Sequence, residues 1–485
     1  MTMTHYDLAI IGSGSGNSLI TPHWDDKRVA LADKGIEASG AFGGTCLNVG
    51  CIPTKMFVRP SALARVPEEA ARVGVEQTTV STDWPAIRDR VFSRIDAISQ
   101  GGRQYREELN NVDLYAEKVT LTGPKSFRTA SGAEVEAEQM VIAAGSRPEL
   151  PEVPGIDLPQ VHTSETVMRI DELPQKVLIV GGGYIACEFA GIFSGLGSEV
   201  IQINRSMGLM NQLDHEIAAA YSEQAQKNWT VLYQRTLGAV EEREAGEADG
   251  AAGVTAHLVT SDGRAEQYDV DLVLVAIGRT PNTDLVGAAE AGLDVLADGR
   301  LAVDEHQRVL SDGEPVEGLY ALGDISSEAM LKHVANHEAR VVSHNLENPQ
   351  KLRTARLHAV PSAVFSHPEI AQVGLTEAQA VEAVGEENVT TKTQSYGDTA
   401  YGWAMEDVYG LMKVIADRRD GTLLGAHAMG YQSSNLIQPI IHAMSFDQDA
   451  YTAARGQYWI HPALMEVTEN ALLGLEVPVP EDAPL

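Results

Sequence analysis

An α/β fold is predicted, two doubly wound units followed by a separate α+β domain, from three observations. A strand-like run at residues 6–11 ends in Gly12-Ser-Gly14-Ser-Gly16-Asn17 and leads to a second run at 27–32. The same grammar returns at 176–180, where Gly181-Gly-Gly183-Tyr184-Ile185-Ala186 opens a helix through Phe193 and a strand follows at 199–203. Past about residue 349 the pattern changes to strands alternating with helices, such as 409–416 and 424–429. Strand, tight glycine turn, helix and strand make a Rossmann-like dinucleotide-binding unit, and two such units are far more specific than one.

In the first unit Gly12 permits the tight turn, and Gly14 lets the backbone approach a pyrophosphate held at a helix N-terminus. The third fingerprint position normally needs a small residue where helix meets strand, but it is Asn17 here and Ala186 in the second unit. Asp33, followed by Lys34, ends the second strand 21 residues after Gly12, the spacing of a carboxylate that accepts ribose hydroxyls. In the second unit Ile203-Asn204-Arg205 carries a guanidinium instead. Arginine suits a 2'-phosphate because it is permanently charged and binds two oxygens at once, which favours NADPH over NADH.

Two further runs, 140–145 with Ala144 and Gly145 and 272–278 ending in Gly278, mark where the chain crosses between the units. A third, 319–324, ends in Asp324, a carboxylate able to accept hydrogen bonds from a polyol. The expected division is a first nucleotide-binding domain at 1–165, a second, NAD(P)-binding domain at 166–279, a return to the first domain at 280–348, and a separate C-terminal domain at 349–485. The Pro- and acid-rich tail at 476–485 is the one segment expected to be disordered.

With 485 residues, 44% of them apolar, the chain can bury several cores, and about three domains is the natural expectation. A formal charge of -32 repels phosphate backbones, which excludes nucleic acid as a partner. No apolar run approaches the ~20 residues that span a bilayer, and residues 8–11 are too short for a signal peptide, so no membrane partner is expected and the expected address is cytoplasmic. Three cysteines are too few for a secreted disulfide framework. Any disulfide here is functional before it is structural.

Two of the three lie close together in Gly43-Gly44-Thr45-Cys46-Leu-Asn-Val-Gly50-Cys51-Ile-Pro53-Thr-Lys55. Five extended steps would separate their Cα atoms by roughly 17 Å, whereas a disulfide needs about 7 Å or less, so the chain must coil. Gly50 supplies backbone freedom, while Pro53 suits the first turn of a helix and disfavours the α region at Ile52. Cys51 then sits near a helix N-terminus, where a thiolate is stabilised. A small bent ring of this kind opens readily, which points to a redox dithiol. The alternative is a pair of buried thiols, and zinc needs more ligands than this segment offers. Cys187 follows Ala186 on the opening helix and reads as an inert core residue.

A dithiol that reduces a disulfide needs a proton donor for the leaving thiolate and a base for its own nucleophile. His461 is the best candidate, at the start of a helix with Glu466 about one turn on to orient the imidazole. His333 and His337 are four apart on a helix, but no third metal ligand is apparent, so no metal is expected and the helix is read as packed near the cofactor. Trp403 and Met405 line a substrate pocket or pack in the core.

These elements, in this order and nearly end to end, resemble the pyridine nucleotide-disulfide oxidoreductases, the group containing glutathione reductase and dihydrolipoamide dehydrogenase. The likeness is most specific at 43–55, 181–188, 321–324 and 461–466. Segments 12–18, 53–57, 331–340, 397–407 and 456–461 resemble members that reduce the disulfide of a low-molecular-weight thiol, and Asn17 belongs to that likeness.

The resemblance makes 1–165 the FAD-binding domain and 349–485 a dimerisation domain, and it implies a homodimer in which FAD lies between NADPH and the dithiol, with Cys51 nearer the flavin and Cys46 attacking the substrate. It also implies that His461 comes from the partner subunit, paired with Glu466. By the same matching Lys55 and Glu188 look like an ion pair near the flavin, and Tyr184 like the ring over the nicotinamide site. Asp33 and Asp324 look like FAD ligands, with Leu331 and His333 near the flavin ring. Lys34, Gly44, Thr45, Ala144, Gly145, Ile185 and Gly278 fall in the matching cofactor segments. One departure is Asn211, where NADPH users often carry a second arginine. The alternatives are a dihydrolipoamide dehydrogenase, which fits poorly with Asn204-Arg205, a glutathione reductase, and an FAD-binding redox sensor without turnover. A mercuric reductase is disfavoured because no C-terminal cysteine pair is present.

Overall fold

The computed structural model describes residues 3–243, 253–481 and 483. Strand Thr4–Ile11 pairs in parallel with Val29–Ala32 on one side and Glu134–Ile142 on the other, at the middle of an eight-stranded sheet. The sheet runs Arg308–Ser311, Glu314–Ala321, Glu134–Ile142, Thr4–Ile11, Val29–Ala32, Val112–Tyr115, with Val119–Gly123 and Ser126–Thr129 attached through Glu134–Ile142. Every residue of Val29–Ala32 is buried, the continuous apolar pattern of a strand covered on both faces. Strand order reverses at Thr4–Ile11, so the crevice beyond its carboxyl end is where a ligand of such a sheet binds.

The helix expected after the first glycine turn is absent. Only 3₁₀ turns occur there, Gly16–Leu19 and Pro22–Trp24, before the chain re-enters the sheet at Val29. The connection is short, and Pro22 brings no N–H with which to continue a helix. Leu19 and Trp24 are buried against the sheet in its place. Asn17, the misfit of the fingerprint, receives two bonds of 2.8 Å from Arg106, Nε to its Oδ1 and Nη2 to its carbonyl. Arg106 lies at the end of the long helix Trp84–Glu107. The third fingerprint position therefore anchors a different helix.

The second sheet is parallel throughout, in the order Thr230–Tyr233, Glu199–Asn204, Lys176–Val180, Leu272–Val275, Val161–His162. Here the expected helix, Tyr184–Leu196, is present. An antiparallel trio, Arg235–Arg243, Gly253–Thr260 and Ala265–Val270, packs on this sheet. The two runs read as crossings lead into Ser146–Pro148 and Arg279–Pro281, which pair antiparallel as a ribbon.

Helix Cys51–Ala64 crosses Tyr184–Leu196 at close range. A Cβ at Gly195 would lie 2.1 Å from Ser61 Oγ, and that hydroxyl donates to the Gly191 carbonyl at 2.9 Å. Pro60, inside the first helix, has no N–H for the Met56 carbonyl, and Arg90 Nη2 donates to it instead at 3.1 Å.

The third sheet is antiparallel: Pro361–Val364, Ile370–Gly374, Leu423–Met429, Leu411–Asp417, Val389–Ser395. Its Lys413 is buried and meets Asp214 at 2.9 Å, Glu216 at 3.3 Å and Glu377 at 2.6 Å. Asp214 also caps helix His215–Asn228, so one buried cation ties the third sheet to the second unit. The tail expected to be disordered is pinned at its start. Glu476 N–H donates to Thr390 Oγ1 at 3.0 Å and Val477 packs on the C-terminal core, while residues 482, 484 and 485 lie outside the described residues. Among the described residues no helix is long and apolar enough to cross a membrane.

Candidate active site

Cys46 lies in the short helix Gly44–Asn48, and Cys51 opens helix Cys51–Ala64. Gly50 between them has φ -128°, so it supplies room and not a left-handed turn: a Cβ there would lie 3.0 Å from the Thr45 carbonyl oxygen. Ile52 is helical although Pro53 follows it. Pro53 falls in the first turn, where its missing N–H has no intrahelical partner to lose, and Thr54 secures that turn by donating Oγ1 to the Gly50 carbonyl at 2.7 Å.

Both thiols are free, Cys46 partly buried and Cys51 exposed. Cys46 donates to Cys51, and with the Lys55 ammonium this lowers the Cys51 thiol to about 7. The same hydrogen bond and burial push Cys46 up. The ionised sulfur of the reduced pair is therefore Cys51, at a helix N-terminus. Cys187 is fully buried on Tyr184–Leu196, and burial raises its thiol to about 11, in keeping with an inert core residue.

Lys55 forms an ion pair with Glu188, whose carboxylate also accepts the Phe365 N–H at 2.9 Å. The Lys55 ammonium stands 4.7 Å from the centre of the Phe365 ring. The dithiol helix is thus joined to the helix of the second glycine turn, whose first residue, Tyr184, accepts a hydrogen bond from Gln372 at 3.2 Å.

The first glycine turn lies against the dithiol segment. Gly44 has φ +76°, and a Cβ there would fall 2.6 Å from Gly14 Cα, so the two backbones touch. Ser13 Oγ accepts the Gly43 N–H at 2.7 Å, and Asp33 accepts N–H groups of Ser13 at 2.6 Å and Gly35 at 2.5 Å. On the other side of Thr4–Ile11, Ser146 Oγ donates to Asp324 at 2.5 Å. Bare glycine backbone between two carboxylates, at the point where strand order reverses, fits the diphosphate and polyol of FAD.

The other candidates fall around this crevice with different engagements. Lys34 pairs with Glu37. Ala144 and Gly145 are held by Asn282, whose Nδ2 donates to the Ala144 carbonyl at 2.8 Å and whose N–H donates to that of Gly145 at 3.0 Å. Leu331 precedes helix Lys332–Glu347, and His333 on it meets the Pro361 carbonyl at 2.8 Å. Among the described residues no group of three or more His, Cys, Asp or Glu could hold a metal ion.

At the second turn Gly181 has φ +134°, and a Cβ at Gly183 would meet nothing within 4 Å, leaving the space before Ile185 and the rest of its helix open. Arg205 is exposed and has no ion pair among the described residues, while Asn211 is bonded to Ser206 at 3.0 Å. Gly278 has its missing Cβ directed at Glu149, 2.8 Å away. An open helix N-terminus with a free guanidinium nearby fits a nicotinamide dinucleotide carrying a 2'-phosphate.

His461 stands on an exposed loop, its Nδ1 hydrogen-bonded to Glu466. The helix begins at Glu466, not at His461. With Nδ1 committed to the carboxylate, Nε2 is left to exchange protons. The flanking Tyr458 and Ile460 are exposed too, Ile460 by 76%. Among the described residues no hydrogen bond within the chain joins His461 to Cys46 or Cys51. Trp403 is 65% exposed, whereas Met405 packs on the C-terminal core.

Sequence reasoning did not find Glu338, which is buried and accepts the Gly323 N–H at 2.7 Å, orienting the turn that carries Asp324. Nor did it find Arg106, which holds Asn17, or Lys332, which donates to Ser15 Oγ in the first glycine turn at 2.8 Å. The one signal was Asn17, a polar residue where a small one belongs.

A family model described as pyridine nucleotide-disulphide oxidoreductase matches residues 6–339, and the dimerisation domain of that family matches residues 360–472. The chain belongs to the pyridine nucleotide-disulphide oxidoreductases. Among its relatives, mycothione reductase of Mycobacterium tuberculosis (strain ATCC 25618 / H37Rv) is 48% identical over 98% of this chain and 100% of that protein. Glutathione reductase of Burkholderia cepacia is 31% identical over 95% of this chain and 97% of that one. The solved Cu(II) complex of the HOCl-induced flavoprotein disulfide reductase RclA from Escherichia coli superposes with a TM-score of 0.82 at 25% identity, covering 97% of this chain and 99% of that one. As a pyridine nucleotide-disulphide oxidoreductase, this chain is an α/β flavoprotein enzyme that works with FAD and a reduced nicotinamide nucleotide.

Proposed function

We propose that this enzyme reduces mycothione, the symmetrical disulfide of mycothiol, to two thiols at the expense of NADPH, acting as a cytoplasmic homodimer. The observation that carries the substrate is the 48% identity to a mycothione reductase over 98% of the chain, against 31% for glutathione reductase. The free, exposed Arg205 supports NADPH as the donor.

Gly12, Gly14, Asp33 and Asp324 hold FAD, and Gly181, Gly183 and Arg205 hold NADPH. When bound, FAD supplies a carrier that accepts hydride from NADPH and returns an electron pair to the Cys46–Cys51 disulfide. Cys51, ionised near pH 7, keeps the reduced pair poised beside the cofactor. The imidazole of His461 from the partner subunit takes the Cys46 proton, and the Cys46 thiolate attacks the substrate disulfide. One sulfur–sulfur bond breaks as a mixed disulfide forms, and His461 passes the proton to the departing thiolate. Cys51 then attacks Cys46, closing the Cys46–Cys51 disulfide and releasing the second thiolate, which His461, reprotonated from solvent, converts to the thiol. Glu466 keeps the imidazole in the tautomer this requires. The exposed apolar Tyr458 and Ile460 around His461 support a partner surface that covers them.

A side-by-side assay of mycothiol, glutathione and lipoamide disulfides, each with NADPH and with NADH, tests the reading. It expects the highest kcat/KM for mycothione with NADPH. A higher value for lipoamide with NADH would overturn it, and no sustained turnover with any disulfide would make the chain a redox sensor.

A further inference from the structure

The two glycine turns face their ligands with different resources. The second opens a 13-residue helix, whose aligned peptide dipoles and free N–H groups favour an anion. The first opens only the four-residue 3₁₀ turn Gly16–Leu19, which has little macrodipole to offer. A diphosphate brings two negative charges to whichever turn binds it, and in a chain of net charge -32 those charges gain nothing from the general field.

Among the described residues two cations reach the deficient turn: Arg106, whose guanidinium is taken up by the side chain and carbonyl of Asn17, and Lys332. Lys332, the first residue of helix Lys332–Glu347, extends its half-buried ammonium to Ser15 Oγ at 2.8 Å. Ser15 lies between Gly14 and Gly16, and its hydroxyl faces Asn336 Oδ1 at 3.3 Å. Among the described residues Lys332 has no carboxylate partner. Its charge also reaches the dithiol, where it opposes the upward push on the Cys46 thiol. A partly desolvated ammonium with one neutral acceptor has capacity for an anionic one.

We infer that Lys332 binds the diphosphate of FAD over the first glycine turn, replacing with a side-chain charge the pull that a full helix would exert there. The inference rests on the reading that FAD lies along Gly12 to Gly16. Ser15 holds the ammonium over the turn, and Asn336 holds Ser15. The lysine is a cofactor-binding residue and takes no part in proton transfer.

The test measures how fast FAD fluorescence appears when purified holoenzyme is diluted into sub-denaturing urea, at low and at high potassium chloride. Lys332→Met is expected to release FAD roughly tenfold faster than wild type at low salt, the loss of about one charge-assisted hydrogen bond. The gap should narrow at high salt, and Lys332→Arg should keep most of the wild-type retention. Release from Lys332→Met within about twofold of wild type at low salt overturns the inference. So does a gap indifferent to salt, which would make Lys332 only a brace for Ser15. Lys332→Gln is held to the same criteria should the methionine variant not fold. Wild-type enzyme purified without bound FAD would instead sink the placement of FAD itself.

Discussion

Cys46 and Cys51 sit in a stretch tied down on every side: against Gly14 through Gly44, against Ser13 through Gly43, and to the second unit through Lys55 and Glu188. His461 sits at the other extreme, on an exposed loop whose imidazole has one partner, Glu466, and no bond to either sulfur among the described residues. The sulfurs are fixed by contacts within their own chain. The imidazole is prepared by its own chain, tautomer and orientation included, yet is presented outward. On the proposed reading each chain builds two half-sites, the economy of a twofold dimer in which the same patch serves on both sides.

The contrast breaks most sharply at the sulfurs. Cys51→Ser should keep its yellow FAD and lose disulfide reduction altogether, as absorbance and a steady-state assay would show; retained turnover would remove the dithiol from the mechanism. For His461→Gln, NADPH should still reduce the flavin in a stopped-flow experiment, while turnover falls by about 100-fold, the lower range for general acid-base catalysis. Mixed dimers of Cys46→Ser and His461→Gln chains then decide whether the halves meet across subunits. Each such dimer should regain one working site of its two, whereas a site built within one chain would regain none.

The smallest effect expected is a shift, not a loss. A thiol lowered below its ordinary range is ionised over the window between the two values, so its reactivity is already present at neutral pH. Alkylation of the reduced pair by iodoacetamide should therefore rise with pH through a midpoint of about 7. Lys55→Met should move that midpoint upward by removing the cation that favours the thiolate. A midpoint unmoved by that change would leave the Cys46 hydrogen bond and the backbone N–H at the helix start as the causes.

How much of this was legible depended on whether a contact is local in the chain. The second glycine turn, its helix and its strand could be read directly, because apolar period and turn residues sit within thirty or so positions of one another. His461 and Glu466 could be paired for the same reason, five positions apart. The first helix was misread because the Gly-x-Gly turn normally announces one; Pro22 and the brevity of the connection were the contrary signals. Lys332 on Ser15, 317 positions apart, had no sequence signature, and Arg106 on Asn17, 89 apart, was signalled only by the misfit of Asn17 itself. Nor did the pinning of Glu476, since a Pro- and acid-rich tail looks the same whether or not a threonine hydroxyl waits for its N–H.

Gly195 gives the crossing of two helices a consequence of another kind. Because Ser61 rests where a side chain at Gly195 would have to go, the gap between the dithiol helix and the nucleotide helix is as thin as hydrogen allows. That crossing works as a gauge block, holding a dimension for parts mounted elsewhere. A close-packed interior would transmit any thickening to those parts. A change at this glycine would therefore surface as a slow enzyme whose every ligand-binding and reacting residue was intact, a fault in calibration and not in chemistry.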